Sequence, residues 1–156
     1  MTDRDFLELA IAKTREGIAA GQSPFGSVVV RDGRVVAVAH NTVWRDIDPT
    51  AHAEVNALRA AASVLSTINL AGCTLYSTCE PCPMCLAAIH WAKVARVVFG
   101  ASIADAARAG FSELPVGARE LAEMGRSPLV VEGGLLRQEC ASLFREWEDA
   151  GLGRSY

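Results

Sequence analysis

Ser27-Val28-Val29-Val30 and Val35-Val36-Ala37-Val38 enclose Arg31-Asp32-Gly33-Arg34. An Asp-Gly pair between β-branched runs predicts a hairpin, because its tight turn needs residues that tolerate positive φ. Upstream, Phe6, Leu7, Ala10, Ile11, Thr14 and Ile18 form a helical stripe over residues 3–20 that stops near Gly21. Downstream, Asn41 to Pro49 reads as a loop. A helix follows from about Ala51, with Leu58, Ala61, Ala62 and Leu65 on one face. Thr74-Leu75-Tyr76-Ser77 reads as a strand that ends at Cys79-Glu80. Pro83 to Ala92 is a second inner helix, its proline suited to the first turn. Ala95-Arg96-Val97-Val98-Phe99 and Leu129-Val130-Val131 are short apolar strands, and a last helix runs from about Leu135 to Asp149. Helices that alternate with strands imply an α/β sandwich with parallel pairing after the hairpin.

The 156 residues fit a single domain, 1–156, with no internal repeat or linker. With 51% hydrophobic and 21% charged residues the chain can bury a substantial core, which excludes a disordered protein. A net charge of -3 provides no global positive field, so nucleic acid is not the expected partner. Met1-Thr2-Asp3-Arg4-Asp5 leads into an amphipathic pattern instead of a secretory signal, and no apolar run approaches the roughly 18 residues of a membrane span. The expected location is cytoplasmic, with no membrane association. The five cysteines, Cys73, Cys79, Cys82, Cys85 and Cys140, are an odd number without a signal peptide, which argues against a disulfide framework.

Cys82 and Cys85 stand i, i+3 at the start of a helix, so both thiols point the same way and the helix N-terminus favours their thiolates. Alone, such a pair also fits a redox couple, half of a structural zinc site or two buried cysteines. His52 and Glu54 add specificity. Two residues apart in mid-helix they would diverge, so a shared site requires the first turn, for which Asp48-Pro49-Thr50 supplies the lead-in. One histidine and two cysteines make three zinc ligands and leave the fourth position to water, which is the catalytic pattern. Glu54 is then free as general base on the water and as acid to the leaving group. Inclusion of Cys79 would instead close a structural site of three cysteines and a histidine. A thioredoxin-like pair is disfavoured, because no strand–CxxC–helix unit opens the chain. The combination His-x-Glu with Pro-Cys-x-x-Cys is the pattern of zinc deaminases that act on nucleobases.

At these residues the chain resembles the cytidine deaminase-like superfamily, and within it the small bacterial guanine deaminases. The likeness is carried by Pro24-Phe25-Gly26, by Asp48-Pro49-Thr50-Ala51-His52-Ala53-Glu54 and by Cys79-Glu80-Pro81-Cys82-Pro83-Met84-Cys85. Trp91-Ala92, Asp105 to Phe111, Phe144-x-x-Trp147 and the terminal Tyr156 extend it over essentially the whole chain. The resemblance implies a three-layer α/β/α sandwich with a mixed five-stranded sheet, one zinc per chain and a homodimer. It also implies that the segment from about 135 to 156 is exchanged between subunits, with Tyr156 as a lid that contacts substrate. Asn41 and Glu113 become base-recognition groups, Glu113 standing where aspartate is commoner in the group. Phe25 and Trp91 are candidates for an apolar wall against a stacked base, or else core aromatics. Cys79 and Cys140 carry no role beyond packing.

The activity that follows is hydrolysis of guanine to xanthine and ammonia. His52, Cys82 and Cys85 hold zinc, Glu54 shuttles the proton, and the backbone N–H of Ala53, with that of Cys82, steadies developing charge. A carboxylate such as Glu113 suits the N–H donor edge of guanine because it only accepts hydrogen bonds. The competing readings are a tRNA adenosine deaminase, a deaminase of cytosine, guanosine or a triazine analogue, and a non-catalytic zinc module. The acidic tail Glu146-Trp147-Glu148-Asp149 weighs against RNA. Glu54 weighs against the structural module, which has no use for that carboxylate.

Overall fold

The computed structural model describes all 156 residues. The hairpin is present as β1 (Gly26–Arg31) and β2 (Arg34–His40). Asp32 and Gly33 both take positive φ, 49° and 71°, which lets a two-residue turn follow the right-handed twist of its strands. The pairing slips once, between Val29 and Val30. Beyond the hairpin come β3 (Cys73–Cys79), β4 (Arg96–Ala101) and β5 (Val130–Gly133), in the sheet order β2-β1-β3-β4-β5. β1 is antiparallel to both neighbours, whereas β3, β4 and β5 run parallel. The sheet is therefore mixed and five-stranded, as expected.

Side chains alternate across a strand, so the valine run of β1 serves two cores. Val28 and Val30, with Tyr76 and Val98, pack under α1 (Asp3–Ala19) and α7 (Arg137–Ala150). Val29, with Leu75, Val97 and Val131, packs under α3 (Ala53–Leu65), α4 (Pro83–Trp91) and α6 (Ala118–Met124). Helices on both faces make the three-layer α/β/α sandwich. No helix is long and apolar enough to cross a membrane.

Three short helices differ from the sequence reading. The stretch read as a loop from Asn41 to Pro49 contains α2 (Val43–Asp46), and α5 (Ile103–Arg108) and α6 lie where no element was expected. At four, six and seven residues they are too short for a 3.6-residue period to stand out. They matter because they flank the site. The parallel strands β3 and β4 end side by side at Cys79 and Ala101. The crevice beyond the carboxyl ends of such strands is where α/β sheets place their ligands.

Candidate active site

Two helices begin at metal ligands. His52 is the N-cap of α3 and Cys82 the N-cap of α4, both in extended conformation, and neither spends its side chain on a capping bond. The local sequence explains this. Thr50 donates its N–H and its hydroxyl to Asp48 Oδ1 at 2.8 and 2.7 Å, a turn that delivers His52 to the helix start. Pro83 occupies the first position of α4, where its ring pre-sets φ and its missing N–H costs nothing. Cys85 follows within the first turn and is fully buried.

His52 Nδ1 lies 3.7 Å from Cys82 Sγ and 3.4 Å from Cys85 Sγ. With Zn–S bonds of about 2.3 Å and Zn–N bonds of about 2.0 Å, a tetrahedral zinc needs its sulfur and nitrogen ligands roughly 3.5 Å apart. The donor set fits that ion in both softness and spacing. The three ligand atoms lie within 4.8 Å of one another, and Cys79 is not part of the group. Its thiol instead points at the carbonyl of Ser102, 3.6 Å away. The closed site of three cysteines and a histidine is thereby removed, which leaves His52, Cys82 and Cys85 as the three residues that would hold the ion.

The electrostatics already favour a cation. Cys82 is pulled down to about 4, chiefly by a hydrogen bond from the Cys85 thiol, against the opposing effect of burial and with help from His52 and the Cys85 N–H. Cys85 is pushed well up by donating that bond and by burial. Burial lowers His52, but the hydrogen bond to Cys82 and the charges of Glu54 and Cys82 outweigh it, so the imidazole is raised overall. A divalent ion would neutralise both sulfurs together.

Glu54 is 6% exposed, one residue into the helix that His52 caps. Ser77 Oγ donates to its Oε1 at 3.2 Å, and the Cys85 thiol points at Oε2 from 3.6 Å. Burial, then the Cys82 charge, raises this carboxyl, with His52 and Ser77 opposing. A carboxyl raised from its ordinary value and held beside the metal ligands is suited to take up and return a proton. Ala53, the first residue of α3, is fully buried between His52 and Glu54.

A cavity of about 250 Å³ opens over this cluster. Phe25, Glu113 and Tyr156 line it with His52, Glu54 and Cys82, and Phe111, Met84 and Leu114 complete its apolar wall. Glu113 is pushed up to about 7, mainly by burial and then by the Cys82 charge, with His52 opposing. Phe25 meets Phe111 edge-on at 4.9 Å. The Tyr156 ring stands 5.7 Å from His52, and its backbone carbonyl accepts from Ser112 N at 2.9 Å. Asn41 stands behind it. Its Oδ1 accepts from Val43 N at 3.1 Å, so its amide nitrogen faces outward and donates to Tyr156 Oη at 2.7 Å.

Trp91 does not join them. It ends the nine-residue α4 and is 81% exposed, beside a separate hollow under Leu121 and Ala122. A helix of that length carries its last residue roughly 12 Å from its first. Within this chain Trp91 is therefore not a wall of the cavity. The structure also brings in residues that sequence reasoning left out. Trp44, on α2, donates Nε1–H to the Arg154 carbonyl at 2.9 Å, and the Arg154 guanidinium covers its ring at 4.1 Å. Phe111 was legible only as part of the Asp105–Phe111 likeness, and Ser77 had no local signal at all.

Residues 1–101 match the family model described as the cytidine and deoxycytidylate deaminase zinc-binding region. Guanine deaminase of Bacillus subtilis (strain 168) is 48% identical over 114 residues, covering 72% of this chain and 73% of that protein. The tRNA-specific adenosine deaminase of Aquifex aeolicus (strain VF5) is 40% identical over 96 residues, covering 62% of this chain and 64% of that one. A solved complex of a relative with 8-azaguanine superposes with a TM-score of 0.88 at 29% identity, covering 95% of this chain and 85% of that one. With the three ligands gathered and Glu54 against them, the chain belongs to the cytidine and deoxycytidylate deaminase zinc-binding family and is a zinc-dependent hydrolytic deaminase.

Proposed function

We propose that the substrate is guanine, converted to xanthine and ammonia with one zinc per chain. The observation that carries this reading is Glu113, a carboxylate in the wall of the cavity over His52, Glu54 and Cys82. Guanine presents two adjacent N–H donors, at N1 and at the 2-amino group, and a carboxylate accepts from both. Adenine and cytosine put an acceptor nitrogen beside their amino group, which a carboxylate repels.

Zinc, when bound by His52, Cys82 and Cys85, supplies a water acidified toward neutrality. Glu54 takes a proton from the attacking water and delivers it to a ring nitrogen as the C2–O bond forms. The same carboxyl then carries the hydroxyl proton to the amino group, the C2–N bond breaks, and ammonia leaves a carbonyl at C2. Phe25 and Tyr156 sandwich the plane of the base, Asn41 holds the Tyr156 hydroxyl, and the Ala53 N–H steadies developing charge.

Adenosine deamination in tRNA is the second reading, favoured by the 40% identity to the Aquifex aeolicus protein. Tyr156 weighs against it, since its ring lines the cavity that a polynucleotide-linked base would have to enter. The reading also carries a homodimer, for which the exposed Trp91 on α4 offers apolar surface to a second copy. Ammonia release from the zinc-loaded protein should be measured with guanine, guanosine, cytosine, adenine and tRNA. Guanine is expected to be the fastest substrate; turnover of tRNA alone would sink the assignment.

A further inference from the structure

We propose that Glu80 is a positioning residue that sets Glu113 against the metal turn, by binding the two backbone N–H groups at either end of the segment that carries it. The inference rests on the reading of Glu113 as the group that meets the base.

Glu80 lies between Cys79 and the Pro81-Cys82 start of the ligand helix, and its own N–H donates to the Ala101 carbonyl at 2.8 Å. Its side chain divides between two distant points of the chain. Oε2 accepts from Ile103 N at 3.0 Å, and Oε1 accepts from Ala118 N at 2.8 Å. Ile103 opens α5 and Ala118 opens α6, so these N–H groups have no partner inside their own helices. Phe111 and Glu113 lie between them, in a stretch without regular structure from Phe111 to Gly117. One carboxylate thus closes a loop onto the turn that holds Cys82 and Cys85.

Glu80 also lines the cavity, and each of its oxygens accepts from a backbone N–H, which fixes the side chain as a brace between the two ends of the segment. The bonds are charge-assisted and partly buried, the class whose loss is felt most. Glutamine at this position would accept one N–H and turn an NH2 group against the other. Aspartate keeps both acceptors but stands one methylene short.

The test compares the zinc-loaded wild type with Glu80→Gln and Glu80→Asp. Zinc content should stay at the wild-type value in both. Amide hydrogen exchange across residues 103–118 should rise about tenfold in Glu80→Gln, while α3 and α4 stay protected. KM for guanine should rise about tenfold with kcat within about twofold, and Glu80→Asp should recover part of the loss. Placed in a Glu113→Gln background, Glu80→Gln should add little further, since both act through one contact. Unchanged exchange over 103–118, or a fully additive double variant, would overturn the proposal. If the wild type ignores guanine, the substrate reading falls by itself. Glu80 is then judged by the exchange measurement and by the same double variant on whichever base is turned over.

Discussion

Proton transfer in this enzyme is assigned to a single side chain. Glu54 is buried, raised from its ordinary value by that burial, and held by Ser77 beside the Cys85 sulfur. Glu54→Gln keeps the size and the acceptor for Ser77 and removes the carboxyl that takes up and returns the proton. The variant should bind zinc normally and lose about 10³-fold in kcat, within the range for loss of a general acid–base group. Metal analysis with steady-state kinetics checks both halves, and wild-type turnover would remove Glu54 from the proton path. The three carboxyl groups that line the cavity, Glu54, Glu80 and Glu113, divide the work by surroundings. Glu54 sits against the metal ligands, whereas Glu113 lies out on the Phe111–Gly117 stretch and depends on Glu80 for its place.

At the scale of elements, the segment after α7 brings Tyr156 into the cavity. Gly151 ends that helix with φ 62°, and of residues 151–156 Tyr156 lines the cavity. A series of contacts seats them. Gly153 lies against the Trp147 indole so closely that any Cβ would overlap it. Arg154 is clasped by Trp44, and Tyr156 is held by Asn41 and Ser112. Gly153→Ala should therefore lift the segment, raise KM for guanine about tenfold and speed amide hydrogen exchange over residues 151–156, because ordered backbone is protected. Trp44→Ala should do the same more mildly, by the loss of one hydrogen bond and one cation–π contact. Unchanged exchange over residues 151–156 in both variants would show that the segment is not held by these contacts.

At the scale of the whole molecule, the ligand cluster joins the starts of α3 and α4, which pack in one layer over the sheet. Zinc bound only by the folded state adds stability by mass action, about 4 kcal/mol at a thousandfold excess over Kd, or about 10 °C in Tm for a chain of this size. Chelation followed by thermal melting should show that drop, with recovery on readdition of zinc; an unchanged Tm would mean that the ligand cluster does not couple to folding. The large features were legible because they are periodic or bound to spacing. The Asp32-Gly33 turn, the alternating runs of β1 and the helix starts at His52 and Cys82 follow from neighbours along the chain. By local spacing, the sequence determined a mixed α/β sandwich and placed His52, Cys82 and Cys85 with Glu54 as a metal site and its proton shuttle. The rest belongs to pairs far apart in the chain. That Cys79 turns to Ser102, that Glu80 gathers Ile103 and Ala118, that Trp44 clasps Arg154, and that Trp91 points away were decided only when strands and helices packed. Such contacts depend on where two segments meet in space, and no local period encodes that meeting.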